Sequence, residues 1–387
     1  MANLIDYIKW RGDITFDISP FNEIDNVIFT QLSSIDFTDV VSSDTSDPVP
    51  LHVAVRTVTD RGRAKKTKLG LIVPDIIFTM AALMAESPRY QDILLCSHVC
   101  EIDREKEYQF SATTFILSND AACIVFRGTD DTLVGWKEDF NLAFNPQIPS
   151  HNKAVDYLTA TASSLGRRIF VCGHSKGGHL SIYSATKADP KIQDRIIKVY
   201  CNDGPGFDFN FFSTEEYLRI KPKVTTIVPQ GSFVGRIFHQ DEDSYRVVKS
   251  DVNGLFQHDC FSWQLMKNSF TGDSFTRECE RNQMTFNNWI SGMSNDDKKM
   301  FVDKFFDFLG SAGATTLIEL TKNPPQLIKA YKELTDTDKE LMKKALRLFL
   351  VTSKKTLTDS IAKKPLKLPI KIKITSDDNS SEENAKQ

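Results

Sequence analysis

Apolar and polar positions take turns in two different ways along this chain. In the middle third, short apolar runs alternate with longer amphipathic stretches. "YQFSATTFIL" and "AACIVFRGT" read as two strands joined by a hairpin turn at Ser118-Asn119-Asp120. "HNKAVDYLTATASSLGR" reads as a helix, with Ala154, Tyr157, Leu158 and Leu165 on one face. "IFVCG" is a buried strand and "GHLSIYSATKA" a helix after it; "RIIKVYCNDGPG", "KVTTIVPQG" and "SYRVVKS" supply further strands. This alternation predicts an α/β fold with a mostly parallel sheet and helices on both of its faces.

The flanks differ. Near the N-terminus, "SPFNEIDNVIFTQLSSIDF" predicts an amphipathic helix, with Ile24, Val27, Ile28, Gln31 and Leu32 at helical spacing and Ser19-Pro20 as its start. A second helix is expected from Ile76 to Ala85. Between them, "TDVVSSDTSDPVP" reads as a polar loop and the basic "RTVTDRGRAKKTK" as a solvated one. The last hundred residues turn helical. Ser294-x-x-Asp297 resembles a capping box, followed by Phe301, Phe305, Phe308 and Leu309 on one face. Thr335 caps a similar pattern, with Leu341, Ala345, Leu348 and Phe349 inward. The expected organisation is a main domain over 1–290, a C-terminal helical appendage over 291–352, and a lysine-rich then acidic tail over 353–387. That tail is too polar to bury a core and is expected to be disordered.

Composition narrows the partners. The 387 residues carry a net charge of −3, so bulk electrostatics give no reason to expect nucleic-acid binding. No apolar run is long enough to span a bilayer, and charges interrupt the N-terminal stretch where an export signal needs its apolar region. The seven cysteines are scattered, odd in number and without CxxC spacing. They read as buried thiols, which argues against a disulfide framework or a zinc site and for a reducing cytoplasm. The tail lysines Lys354, Lys355, Lys363, Lys364, Lys367, Lys371 and Lys373 would attract anionic lipid. Pro365 and Pro369 interrupt the apolar face an anchoring helix needs, so membrane contact is not favoured. No metal or organic cofactor is implied, and the oligomeric state is not set by the sequence.

The chemistry concentrates in Gly173-His174-Ser175-Lys176-Gly177, placed between a strand and a helix. A Gly-x-Ser-x-Gly turn there holds its serine in a strained conformation at the head of a helix, whose free N–H groups face a developing oxyanion. A phosphate loop is excluded by spacing, because Lys176 precedes its glycines instead of following them. Ser175 is therefore the candidate nucleophile, and the Lys176 N–H a candidate oxyanion donor. The bland reading is a tight glycine-rich turn.

A serine nucleophile needs a base. His52, His98 and His151 come before the elbow, and His174 and His179 lie in or beside it. Of the remaining two, His258 follows the strand "SYRVVKS" in a loop entering a helix, whereas His239 precedes that strand. His258 is the candidate base. For the acid, Asp203 stands at a strand's C-terminal edge, where ligand chemistry in open α/β sheets is found. Asp241, Asp251 and Asp259 are weaker candidates, and Asp203 could equally be a turn-forming residue before Gly204-Pro205.

"ACIVFRGTDD", the following "GWKEDFN" and "VCGHSKGGHLS" resemble the class 3 (fungal-type) lipases. The resemblance implies an α/β-hydrolase-like fold, Ser175 as nucleophile and an oxyanion contribution from Thr129. "YIKWRGDITFDISPFNEIDNVIFTQLSSIDF", "NDGPGF", "VPQGSFVG" and "QHDCFSW" are more closely similar to the bacterial Mbeg-like family, with residues 1–70 as a family-specific segment. That family implies the same fold and no defined substrate. Two departures from the lipase pattern stand out. Lys176 replaces the usual leucine, altering the polarity near the oxyanion side, and no carboxylate occupies the usual acid position near Gln230.

The expectation is a serine hydrolase acting on a carboxylic ester, lipid esters included. A catalytically inactive scaffold that binds a partner is its rival, as is a thioesterase, acyltransferase or peptidase using the same triad. Phe207, Phe209, Phe211 and Phe212 either cap an acyl pocket or pack as ordinary surface structure.

Overall fold

A computed structural model describes residues 2–61, 75–117, 120–322, 324–341 and 343. Its centre is an eight-stranded sheet whose strands lie side by side in chain order: β1 (Val49–Pro50), β2 (Leu94–Asp103), β3 (Tyr108–Ile116), β4 (Ala121–Phe126), β5 (Arg168–His174), β6 (Ile196–Asn202), β7 (Val224–Pro229) and β8 (Tyr245–Val248). β1 to β4 pair antiparallel, and β4 to β8 pair parallel. This is an α/β-hydrolase-like architecture with a helical C-terminal region.

Both faces are covered, and the two covers have different origins. Parallel strands laid down in one direction, joined by right-handed crossovers, put their connecting helices on a single face. α6 (Pro149–Leu165), α7 (Lys176–Lys187), α8 (Pro190–Arg195) and α9 (Glu215–Ile220) accordingly share one core, with Ala154, Leu158, Leu180, Ile192 and Tyr217 packed on Ile124, Phe126 and Val171. The opposite face is covered by helices that precede the parallel strands: α1 (Leu4–Arg11), α2 (Glu23–Leu32), α3 (Leu51–Asp60) and α4 (Ile76–Ala85). Cys123 and Val125 point to that layer while Ile124 and Phe126 point away, as the period of two requires.

Several local expectations need correction. α2 starts at Asn22, whose side chain accepts from Asp25 N–H while Asp25 returns the bond to Asn22 N–H, so this capping box and not Ser19-Pro20 sets the start. α2 is buried from Ile24 to Leu32 instead of showing a polar face, because it lies between the sheet and its fellow helices. The basic stretch read as a loop begins inside α3, since Arg56–Asp60 are helical; residues 62–74 lie outside the described residues. The hairpin positions 118 and 119 also lie outside them.

α5 (Leu133–Asn141) follows β4 and carries the C-terminal helices on one side. α10 (Arg277–Ser291) leads to α11 (Asn295–Ser311), capped by Ser294 as expected. Phe301, Val302 and Phe306 are the buried residues of α11, packed with Leu133, Trp136 and Phe140 of α5. Phe308 belongs to another face, toward Tyr331 of α13 (Pro324–Glu333). Between them, α12 (Leu317–Lys322) meets the loop before α5: Leu317 N–H donates to Asp131 O, Leu133 N–H to Thr315 O, and Ile318 N–H to the Asp131 carboxylate at 3.0 Å. Thr335 caps the next turn through Asp338. Ala345, Leu348, Phe349 and the whole 353–387 tail, with its lysines, fall outside the described residues. Among the described residues no helix is long and apolar enough to cross a membrane.

Candidate active site

The turn between β5 and α7 has the strain an elbow demands. Ser175 sits at φ 58°, ψ −129°, a region that costs a non-glycine residue about 1–3 kcal/mol. Asn202 O accepts from Ser175 N–H at 2.9 Å, and Ser175 O accepts from Gly178 and His179 N–H. The flanking glycines are required by crowding. A Cβ on Gly173 would lie 2.0 Å from Gly177 O, and one on Gly177 would lie 2.0 Å from Phe126 O. Gly128 also comes close, since its Cβ would meet the Ser175 Cβ at 3.2 Å, so the loop Arg127–Gly128–Thr129 runs beside the serine. Nothing among the described residues hydrogen-bonds the Ser175 hydroxyl.

Asp203 and His258 meet, although 55 positions separate them. The Asp203 Oδ2 and His258 Nδ1 atoms are 2.7 Å apart, with Asp203 fully buried and His258 9% exposed. The other carboxylate oxygen accepts from the Ser232 hydroxyl and from Gly235 N–H at 3.2 Å. Asp203 is therefore no mere turn former: its carboxylate is spent on the histidine and on the loop after β7. Its own backbone sits at φ 50° just past β6. His258 is fastened to the elbow as well. His174 Nε2–H donates to His258 O at 2.9 Å, and the two rings lie 4.4 Å apart. Burial pushes His174 well below the ordinary histidine range, which fits a neutral ring with that single proton. Instead of the expected helix, a 3₁₀ turn, Gly254–His258, carries His258 and a second, Cys260–Ser262, follows it.

The weaker candidates are otherwise engaged. Asp241 accepts from Tyr217 and Lys221, and Asp259 caps Phe261 N–H. Asp251 is exposed. His239 pairs through its backbone with Phe207 and packs its ring on Phe209. Gln230, at the usual acid position, is tied to Ser250. The carboxylate that meets His258 stands at the end of β6, which pairs directly with the elbow strand β5.

On the oxyanion side, the Thr129 hydroxyl donates to Asp139 Oδ2 at 2.5 Å. Its one hydrogen is thus committed, and what Thr129 can offer an oxyanion is its N–H. Neither the Thr129 N–H nor the Lys176 N–H has an acceptor among the described residues; the latter is a first-turn helix donor, which has none within its helix. Burial pushes the Asp139 carboxyl up to about 6, opposed by Lys176 and the Thr129 hydrogen bond. The Lys176 side chain does not leave a free charge at the site. Its ammonium is buried and reaches Glu138 Oε2 at 2.8 Å, Gln109 O at 2.7 Å and Gln109 Oε1 at 3.1 Å. Glu138, Asp139 and Ser232 are the residues sequence reasoning missed. The signal for Asp139 was its place in "GWKEDFN"; Glu138 and Ser232 offered none.

The aromatic segment after Asp203 packs for the most part. Phe207 stacks on His179 at 4.0 Å and on Phe211 at 3.9 Å, and Phe212 meets Tyr217 edge-on. Phe209 is exposed. All seven cysteines are free thiols, and six are buried.

The solved structure titled as that of M37 lipase is similar at 13% identity and a TM-score of 0.34, covering 55% of this chain and 68% of that one. No curated protein matches. The Mbeg1-like family model matches residues 84–307, more than half of the chain. Ser175, Asp203, His258, Thr129 and Asp139 all fall within that span, and the chain belongs to the Mbeg1-like family.

Proposed function

We propose that the protein is a serine hydrolase that cleaves carboxylic esters, lipid esters among them. Ser175 Oγ attacks the acyl carbonyl while His258 Nε2 takes its proton, and Asp203 holds Nδ1–H and balances the imidazolium. The N–H groups of Lys176 and Thr129 receive the oxyanion. The alcohol leaves with the proton from His258. Water, deprotonated by the same ring, then releases the acid and restores Ser175. The observation that carries this reading is the buried 2.7 Å Asp203–His258 contact, fastened to a strained serine turn.

The test is labelling with a fluorophosphonate on wild type and on Ser175→Ala. Labelling that vanishes in the variant supports an activated serine, and a panel of esters, thioesters and amides then ranks the acyl groups. A folded wild type that neither labels nor turns over any ester sinks the reading in favour of a non-catalytic scaffold.

A further inference from the structure

The residue after the nucleophile is a lysine, and its placement is costly in two ways. A cation in the first turn of α7 opposes the positive end of the helix dipole. Lys176 is also 1% exposed, and withdrawing an ammonium and a carboxylate from water is seldom repaid by their attraction. Stability alone does not account for it.

The geometry points to a positioning role: the Lys176–Glu138 pair fixes the Lys176 N–H relative to Thr129 by tying the elbow to α5. This inference rests on the hydrolase reading of Ser175. All three ammonium hydrogens are used, two on Gln109 and one on Glu138, so the side chain is held at its far end while the elbow holds its main chain. Glu138 is equally committed. Its Oε2 also accepts from Gln109 N–H at 3.1 Å, and its Oε1 accepts from Ser150 N–H at 3.1 Å. The next residue of the same helix, Asp139, takes the Thr129 hydroxyl. Neighbouring carboxylates on α5 thus hold the two oxyanion donors, and one peptide bond sets the spacing between their anchors. A leucine in place of Lys176 would leave the elbow without this reference.

The test uses the full-length protein and the double variant Lys176→Met/Glu138→Gln, which removes both charges of the pair at similar volume, while Asp139 keeps its hydrogen bond from the Thr129 hydroxyl. Thermal unfolding establishes that it is folded. kcat and KM are then read on a p-nitrophenyl ester turned over by wild type, alongside the rate of fluorophosphonate capture. The expected result is a fall in kcat of about 10- to 100-fold with KM nearly unchanged, because displaced donors weaken only the transition state. The slower capture of fluorophosphonate should follow kcat. A purely structural pair would instead lower the melting temperature and leave kcat intact. A folded double variant with wild-type kcat therefore overturns the positioning role while leaving the hydrolase reading standing. A folded wild type that neither labels nor turns over overturns both. Lys176→Met alone, which strands Glu138 in the core, is expected to lose melting temperature as well as kcat.

Discussion

Replacing Asp203 by asparagine is the sharpest perturbation of the proposed triad, because the surroundings dictate which way the new amide must face. Gly235 N–H donates to Oδ1 in the native site, and a backbone N–H cannot become an acceptor. The amide oxygen of the variant must therefore occupy the Oδ1 position, where Ser232 also donates. That leaves the amide nitrogen facing His258 Nδ1 across the 2.7 Å contact. An N–H directed at Nδ1 forces the ring's proton onto Nε2, the atom that must be bare to take the Ser175 proton. The same change of tautomer in the serine-protease template costs about 10⁴ in kcat, or about 5.5 kcal/mol of transition-state stabilisation. Steady-state ester hydrolysis and the rate of fluorophosphonate capture should fall together by about that factor. The melting temperature should change little, since volume and hydrogen-bond number are kept. Asp203→Asn retaining activity within about tenfold of wild type would refute the argument and remove Asp203 from the triad.

Three further outcomes follow from other parts of the molecule. His151 and His179 share a 2.7 Å Nε2–Nε2 contact, and burial pulls them down to about 2 and about 4. Both stay neutral in the fold while the unfolded chain protonates near pH 6.5, so the stability they contribute is full above that pH and is lost on acidification. The loss at pH 5 is about 2 kcal/mol for each, read as the difference in urea unfolding between pH 7 and pH 5; an unchanged free energy contradicts the pairing. Asp139 behaves in the opposite sense, because burial raises its carboxyl to about 6, so its ionisation costs stability above that pH. Asp139→Asn, whose amide oxygen still accepts from the Thr129 hydroxyl, should melt higher than wild type at pH 7 and lose that advantage below about pH 4; a lower melting temperature at pH 7 counts against it. Phe306→Ala opens the cluster between α11 and α5 at a local cost of about 3–5 kcal/mol. Amide exchange should quicken across residues 301–320 before it does in β4–β7, and uniform protection would contradict this docking.

What was legible in the sequence, and what was not, follows from how each element earns its stability. β3 to β8 are short apolar runs bounded by turn residues, and α4 is continuous enough to give both ends. β2 escaped because its alternation breaks at a register shift between Cys96 and Val99, where Ser97 takes φ 51°. α10 escaped because Cys279 is its one buried residue with a described side chain, leaving no periodic stripe. α5 is short and uses both faces, one for Phe301 and Phe306 and one for Lys176, so a carboxylate falls where an apolar residue belongs in a simple amphipathic pattern. At the site, Ser175 was readable because strand, crowding and helix all act within a few residues. His258 was chosen because it follows the strand β8 in the chain and Asp203 because it stands at a strand end, and the structure sets the two 2.7 Å apart. Glu138 and Ser232 are different in kind. Their partners lie 38 and 29 positions away, and no local pattern records such a contact.

The N-terminal layer follows the same logic. It meets the end of β6 through a buried, reciprocal amide pair, Asn26 Nδ2 to Asn202 Oδ1 at 2.8 Å and Asn202 Nδ2 to Asn26 Oδ1 at 3.0 Å. Two amides facing each other satisfy themselves only in this register, so α2 cannot slide along the sheet without stranding both. Asn202 is no ordinary strand residue either. Its carbonyl receives the Ser175 N–H, and Asp203 follows it directly. One position therefore connects Ser175, Asp203 and a helix that precedes the parallel strands. The α1–α4 layer does more than cover an apolar face: through Asn26 it fixes the point from which both Ser175 and Asp203 are hung.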